Sequence, residues 1–82
     1  MGTQTARAYE EVVEFIATGP KPSKIIAFKP SVATKERVAD LIYREKTIGL
    51  TLDERSELDH YLQLEHLMRL AKARAHRYAA NE

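Results

Sequence analysis

Three sets of residues have the types and spacing to do chemistry. The first is Glu57-Leu58-Asp59-His60, with Glu65 and His66 just beyond. Glu-x-x-His on a helix places a carboxylate and an imidazole on one face, the spacing that di-iron bundles use. A di-metal site needs further carboxylates from another helix, and Glu10, Glu11 and Glu14 are the available ones. These residue types are also common on solvated helix surfaces. Metal binding through Glu57 and His60 is therefore kept as an alternative, and no metal or other cofactor is expected. The second set is the basic run Arg69-x-x-Lys72-x-Arg74-x-x-Arg77, with His76 inside it and Tyr78 at its end. Such a run can touch phosphates. It also suits a solvated helix C-terminus, where cations complement the macrodipole. The third set is apolar. Tyr61, Leu64, Met68, Ala71, Ala75 and Tyr78 are spaced 3, 4, 3, 4, 3, a heptad-like seam. Leu58 and Leu62 flank it on one side, Leu67 and Leu70 on the other. The chemistry of such a seam is association.

Catalytic arrangements are missing. With no Cys there is no thiol nucleophile, disulfide or thiolate zinc site. Only three Gly occur and none form G-x-G, so there is no phosphate-cradling loop. Three Ser and three His show no triad order. The reading is non-enzymatic.

The elements that must carry these residues are helices. A first helix over about residues 5–18 is predicted from Tyr9, Val12, Val13 and Ile16 at i, i+3, i+4, i+7, with Phe15 beside them. Gly19-Pro20 stops it. A Pro-rich linker, 19–31, follows. Its Lys24–Lys29 stretch is short and apolar, and periodicity alone leaves open whether it is a strand. A second helix, about 32–47, starts after Ser31 as N-cap and buries Val38, Leu41 and Ile42, with Ile48 near its end. A third, about 52–79, opens on the capping box Thr51-Leu52-Asp53-Glu54 and meets no Pro or Gly. At 1.5 Å per residue it is about 42 Å long. The expected fold is all-α: one domain over 1–82, two shorter helices packed on a long C-terminal one, with room for one short extended segment.

Composition agrees with a folded water-soluble chain, with 82 residues, 44% hydrophobic and 30% charged. A chain this short buries only about 60% of its unfolded surface, so a partner that completes the core is expected. The net charge of +1 argues against a uniformly basic nucleic-acid binder. It conceals segregation, however. Residues 51–66 hold five acids and one base, whereas residues 67–82 hold four bases and one acid. Two such helices pairing antiparallel would set acidic half against basic half. The N-terminus has no apolar core of a signal peptide, Ala6 breaks the myristoylation pattern, and no run is long enough to span a membrane. A cytoplasmic location is expected.

The stretch Arg37-Val38, Leu41-Ile42, Glu45-Lys46, Gly49-Leu50-Thr51-Leu52-Asp53-Glu54, Glu57-Leu58-Asp59, Leu62, Leu64-Glu65-His66-Leu67 and Leu70-Ala71-Lys72-Ala73-Arg74-Ala75 carries a resemblance. It resembles a group of small bacterial helical proteins, common in cyanobacteria, that share E-L-(D/E), then L-x-K-A-R-A. The likeness covers about residues 24–78. Many members of that group look like antitoxin-like or accessory partners encoded beside small nucleases of HNH or PIN type. The resemblance implies a binding protein and carries over no catalytic residue. The expected interface is Tyr61, Leu64, Leu67, Met68, Ala71, Ala75 and Tyr78, with Arg69, Arg74 and Arg77 as its polar rim. Its partner is a second copy or another protein, with a small nuclease as the kind implied. A DNA-binding regulator using the basic end and the 24–29 segment is the other reading.

Overall fold

The computed structural model describes residues 7–82. Those residues form four helices and no strand: α1 (Glu10–Ala17), α2 (Pro22–Ala27), α3 (Val32–Thr47) and α4 (Leu52–Ala79). The all-α class with a long last helix is as expected, and shorter helices pack against that last one. The principal extents are 48 × 30 × 19 Å, the long axis matching a straight α4.

The linker contains a helix that sequence reasoning missed. Two prolines, Pro20 and Pro22, lie in this linker and ordinarily resist helix. Pro22 instead occupies the first helical position, where a missing amide costs nothing and the fixed φ is already helical. Six residues are too few to hold a helix by propensity. Tertiary contacts hold α2 instead. Its N-cap, Lys21, makes no side-chain cap bond. The Glu82 carboxylate, three residues past the end of α4, supplies the cap, accepting from the Ser23 amide and hydroxyl, both at 2.9 Å. At the other end Lys72 Nζ donates to the Phe28 carbonyl at 2.7 Å. Phe28 is extended, with ψ 132°, and Pro30 follows. The 24–29 segment is thus a helical turn with an extended exit, and not a strand.

The predicted start of the first helix, Thr5 and Ala6, lies outside the described residues. Within them α1 opens only at Glu10. The Ala8 amide donates to Glu57 Oε2 at 2.9 Å, so it is unavailable to a helical carbonyl. The buried edge of α1 also differs from the predicted stripe. Val12 is buried and Tyr9 and Phe15 are half-buried, whereas Val13 and Ile16 are about 40% exposed. The contact of Phe15 with Phe28, ring centroids 4.4 Å apart, turns α1 that way.

α3 starts as its sequence indicates, with the Ser31 hydroxyl accepting from the Thr34 amide at 3.2 Å. The Ser31 amide in turn donates to Glu11, tying α3 to α1. Val38 and Leu41 are buried and Ile42 is half-buried, but Ile48 stands in solvent. Gly49, at φ 88°, ends the helix, and its amide bonds the Arg44 carbonyl. Only glycine adopts that left-handed conformation without strain. The Thr51/Glu54 capping box forms in both directions. One core results, with Leu41 fully enclosed among Ala8, Val12, Val38, Leu58, Tyr61 and Met68.

Candidate interaction surface

α4 supplies both the core and the remaining surface, so its two faces must be separated. Residues advance about 100° per position round a helix. Glu57, Leu58, Tyr61, Met68 and Ala75 are buried and therefore define the inner face. Of the seven expected interface residues, Tyr61, Met68 and Ala75 belong to it and are covered by the chain's own α1, α2 and α3 elements. Leu64 and Ala71 are half-buried on its edge. Only Leu67, at 51%, and Tyr78, at 60%, remain open. Leu70, read as a mere flank of the seam, is open as well. The heptad pattern marks a stripe but does not tell which wall of it other helices of the same chain cover.

The acidic half of α4 is largely neutralised from within. Arg37 makes a two-pronged bond to Glu57, Nε to Oε2 at 2.9 Å and Nη2 to Oε1 at 2.8 Å. With the Ala8 amide, the buried carboxylate receives three donors. The Arg37 bond holds the Glu57 carboxyl below the usual range, against burial, which pushes it up, and the Ala8 amide adds to the lowering. Arg44 bridges Asp40 and Glu54, at 3.0 and 2.7 Å, and Arg55 reaches back to Glu45 at 3.0 Å. The Thr51 amide, then Arg44, lowers the Glu54 carboxyl. Burial raises the Tyr61 phenol, aided by Glu65 and Glu11. Two bases of α3, Arg37 and Arg44, thus answer Glu57 and Glu54 of α4. Asp53 and Asp59 form no ion pair among the described residues.

The three donors to Glu57 bear on the metal alternative. Both Glu57 oxygens are engaged, and His60 sits by the Tyr9 ring, centroids 5.2 Å apart, with Ser56 Oγ 3.4 Å from its Nδ1. Glu10 faces Arg7 and Glu11 holds Ser31. Among the described residues no three His, Asp or Glu side chains gather as a metal site.

The basic rim divides too. Arg69 pairs with Glu65 at 3.2 Å. Lys72 is used on Phe28. Arg74 and Arg77 are exposed and form no ion pair among the described residues. α2 lies along this end of α4, so Lys24 and Lys29 join the same pole. They do not join the same face. Lys72 marks the side of α4 that holds α2, and Arg74 and Arg77 lie roughly 140–160° round from it.

A cleft of about 140 Å³ opens beside the core, floored by Val12, Phe28, Tyr61 and Met68 and rimmed by Glu65, Arg69 and Lys72. It is smaller than the roughly 300–1,000 Å³ of small-molecule sites and has room for about one side chain. No helix among the described residues is long and apolar enough to cross a membrane. Searches of protein-family models, curated proteins and solved structures find no match for this chain.

Proposed function

We propose that this protein is a non-enzymatic binding module whose working surface is the outer face of α4. One observation carries this reading. Leu67, Leu70 and Tyr78 stay half or more exposed on a helix whose inner face is already fully packed. Large apolar side chains grouped on an outer face are typical of interaction sites. Leu67 and Leu70 sit one turn apart, and Tyr78 is three turns from Leu67 on the same side. Arg74 and Arg77 border them as a polar rim. The resemblance to antitoxin-like partners of small nucleases indicates the class of protein expected to bind, in the cytoplasm. The test is Leu67→Glu with Leu70→Glu. Both positions face solvent, so the double variant should retain wild-type circular dichroism and melting. It should lose whatever protein the wild type retains from the native cell, the product of the adjacent reading frame foremost. Equal retention by both would refute the reading.

A second reading, binding to duplex DNA, draws on one further observation. Packing of α2 on α4 gathers Lys24, Lys29, Arg74 and Arg77 at one pole. Mobility shifts at two salt concentrations decide it, because phosphate contacts weaken steeply with salt. No shift at low salt would refute it.

A further inference from the structure

The outer face of α4 is self-complementary when reversed. Ser56, His60, Gln63, Leu67, Leu70 and Arg74 follow a 4-3 spacing, Tyr78 continues the stripe one further turn on, and all are exposed. Resting on the binding role proposed above, we infer that the occupant of this face is a second copy of the chain, paired antiparallel about a two-fold axis between Met68 and Arg69.

The register follows from which residues lie equally far from that axis. Leu67 falls opposite the partner's Leu70, so four leucines form the centre. Gln63 falls opposite the partner's Arg74, an amide oxygen facing a guanidinium. Asp59, at the margin of the stripe, comes within one residue of the partner's Arg77. Each contact occurs twice, as a two-fold interface requires. Asp59, Arg74 and Arg77 are among the charges that form no ion pair among the described residues. A parallel pairing would set Asp59 against Asp59 and Arg77 against Arg77, and like charges in contact are unfavourable. The apolar margin extends onto α1. Tyr9 touches His60, and Val13 and Ile16 lie on the same flank of α1 as Tyr9, at i+4 and i+7.

Size sets the strength. In this register residues 58–79 of each α4 overlap, a face about 33 Å long and about 10 Å wide, well short of the about 800 Å² per partner of a standard specific interface. Dissociation in the micromolar range is expected.

The chain has no Cys, so single cysteines report the register cleanly. Gln63→Cys and Arg74→Cys are prepared separately, then mixed under mild oxidation. The mixture should yield a covalent dimer joining one of each, and neither alone should link efficiently, because like positions lie about 16 Å apart along the paired helices. In sedimentation equilibrium the wild type should dimerise with concentration. Asp59→Arg should weaken the dimer about tenfold, and Asp59→Arg with Arg77→Asp should restore it. Because both sites are exposed, the double variant separates pairing from folding. A wild type that stays monomeric at high micromolar concentration overturns the inference. So does self-linking of Gln63→Cys as efficient as mixed linking, or a dimer that Asp59→Arg leaves unchanged. A monomer that still retains a partner lost in Leu67→Glu/Leu70→Glu refutes the self-pairing alone. A monomer that retains nothing refutes the binding role as well.

Discussion

Replacing Arg37 by alanine tests the internal ion pair that links the N-terminal segment, α3 and α4. The variant leaves Glu57, whose side chain is 4% exposed, with only the Ala8 amide as donor. Removing one member of a buried pair typically costs about 3–5 kcal/mol. Arg37 is itself 39% exposed, and water screens part of its charge. The expected loss is therefore about 2–3 kcal/mol at neutral pH. In a domain of this size that lowers the melting temperature by about 10–20 °C. The loss should depend on pH in a set direction. In the wild type the folded-state Glu57 carboxyl is held below its unfolded value of about 4.3. The pair's contribution is then complete above about pH 4.3 and fades as pH falls through the depressed folded value. Without Arg37, burial dominates and Glu57 protonates at higher pH. Wild type and variant should therefore differ most near neutrality and converge in acid. Urea unfolding followed by far-ultraviolet circular dichroism, at about pH 7 and about pH 3, measures both gaps. An unchanged gap at the two pH values would show that the carboxylate's charge is not what Arg37 stabilises.

Three other substitutions probe separate levels of the structure. Leu41→Ala empties the most enclosed position and should cost about 3–4 kcal/mol in urea unfolding, with little change in helix content at zero denaturant. Thr51→Ala removes the hydroxyl half of the capping box and should cost about 1 kcal/mol. Gly49→Ala meets no neighbour within 4 Å, so its expected cost of about 1 kcal/mol is backbone strain at φ 88° and nothing else. A neutral Gly49→Ala would show that the α3–α4 turn relaxes out of the left-handed region.

The same division between local and tertiary causes explains what was legible beforehand. The capping box, the Ser31 cap, the Gly49 stop and the uninterrupted run from Leu52 to Ala79 are local signals. Each acts within one helical turn or along one helix, so the residue types alone identify it. α2 was missed because its stability is not local. A proline at the first helical position reads the same as a proline that breaks a helix until Lys72 of α4 and Glu82 beyond it are seen holding the segment. Glu57 was singled out for its spacing to His60, but its role is set by Arg37 and Ala8, 20 and 49 positions away in the chain. No pattern within α4 points to either partner.

The interface follows the same logic. Sequence alone determined that the last helix is long, apolar round a wide arc, acidic at its start and basic at its end. Hydrophobic periodicity and charge order are properties of one helix, and they survive whatever packs against it. Tertiary structure decided which part of the arc is core and which stays open. α1, α2 and α3 cover Tyr61, Met68 and Ala75, and they leave Leu67, Leu70 and Tyr78 to solvent. The bases of α3 neutralise Glu54 and Glu57, and Asp59, Arg74 and Arg77 are left outward. Burial and charge compensation depend on the positions of distant segments, and those exist only once the chain has folded.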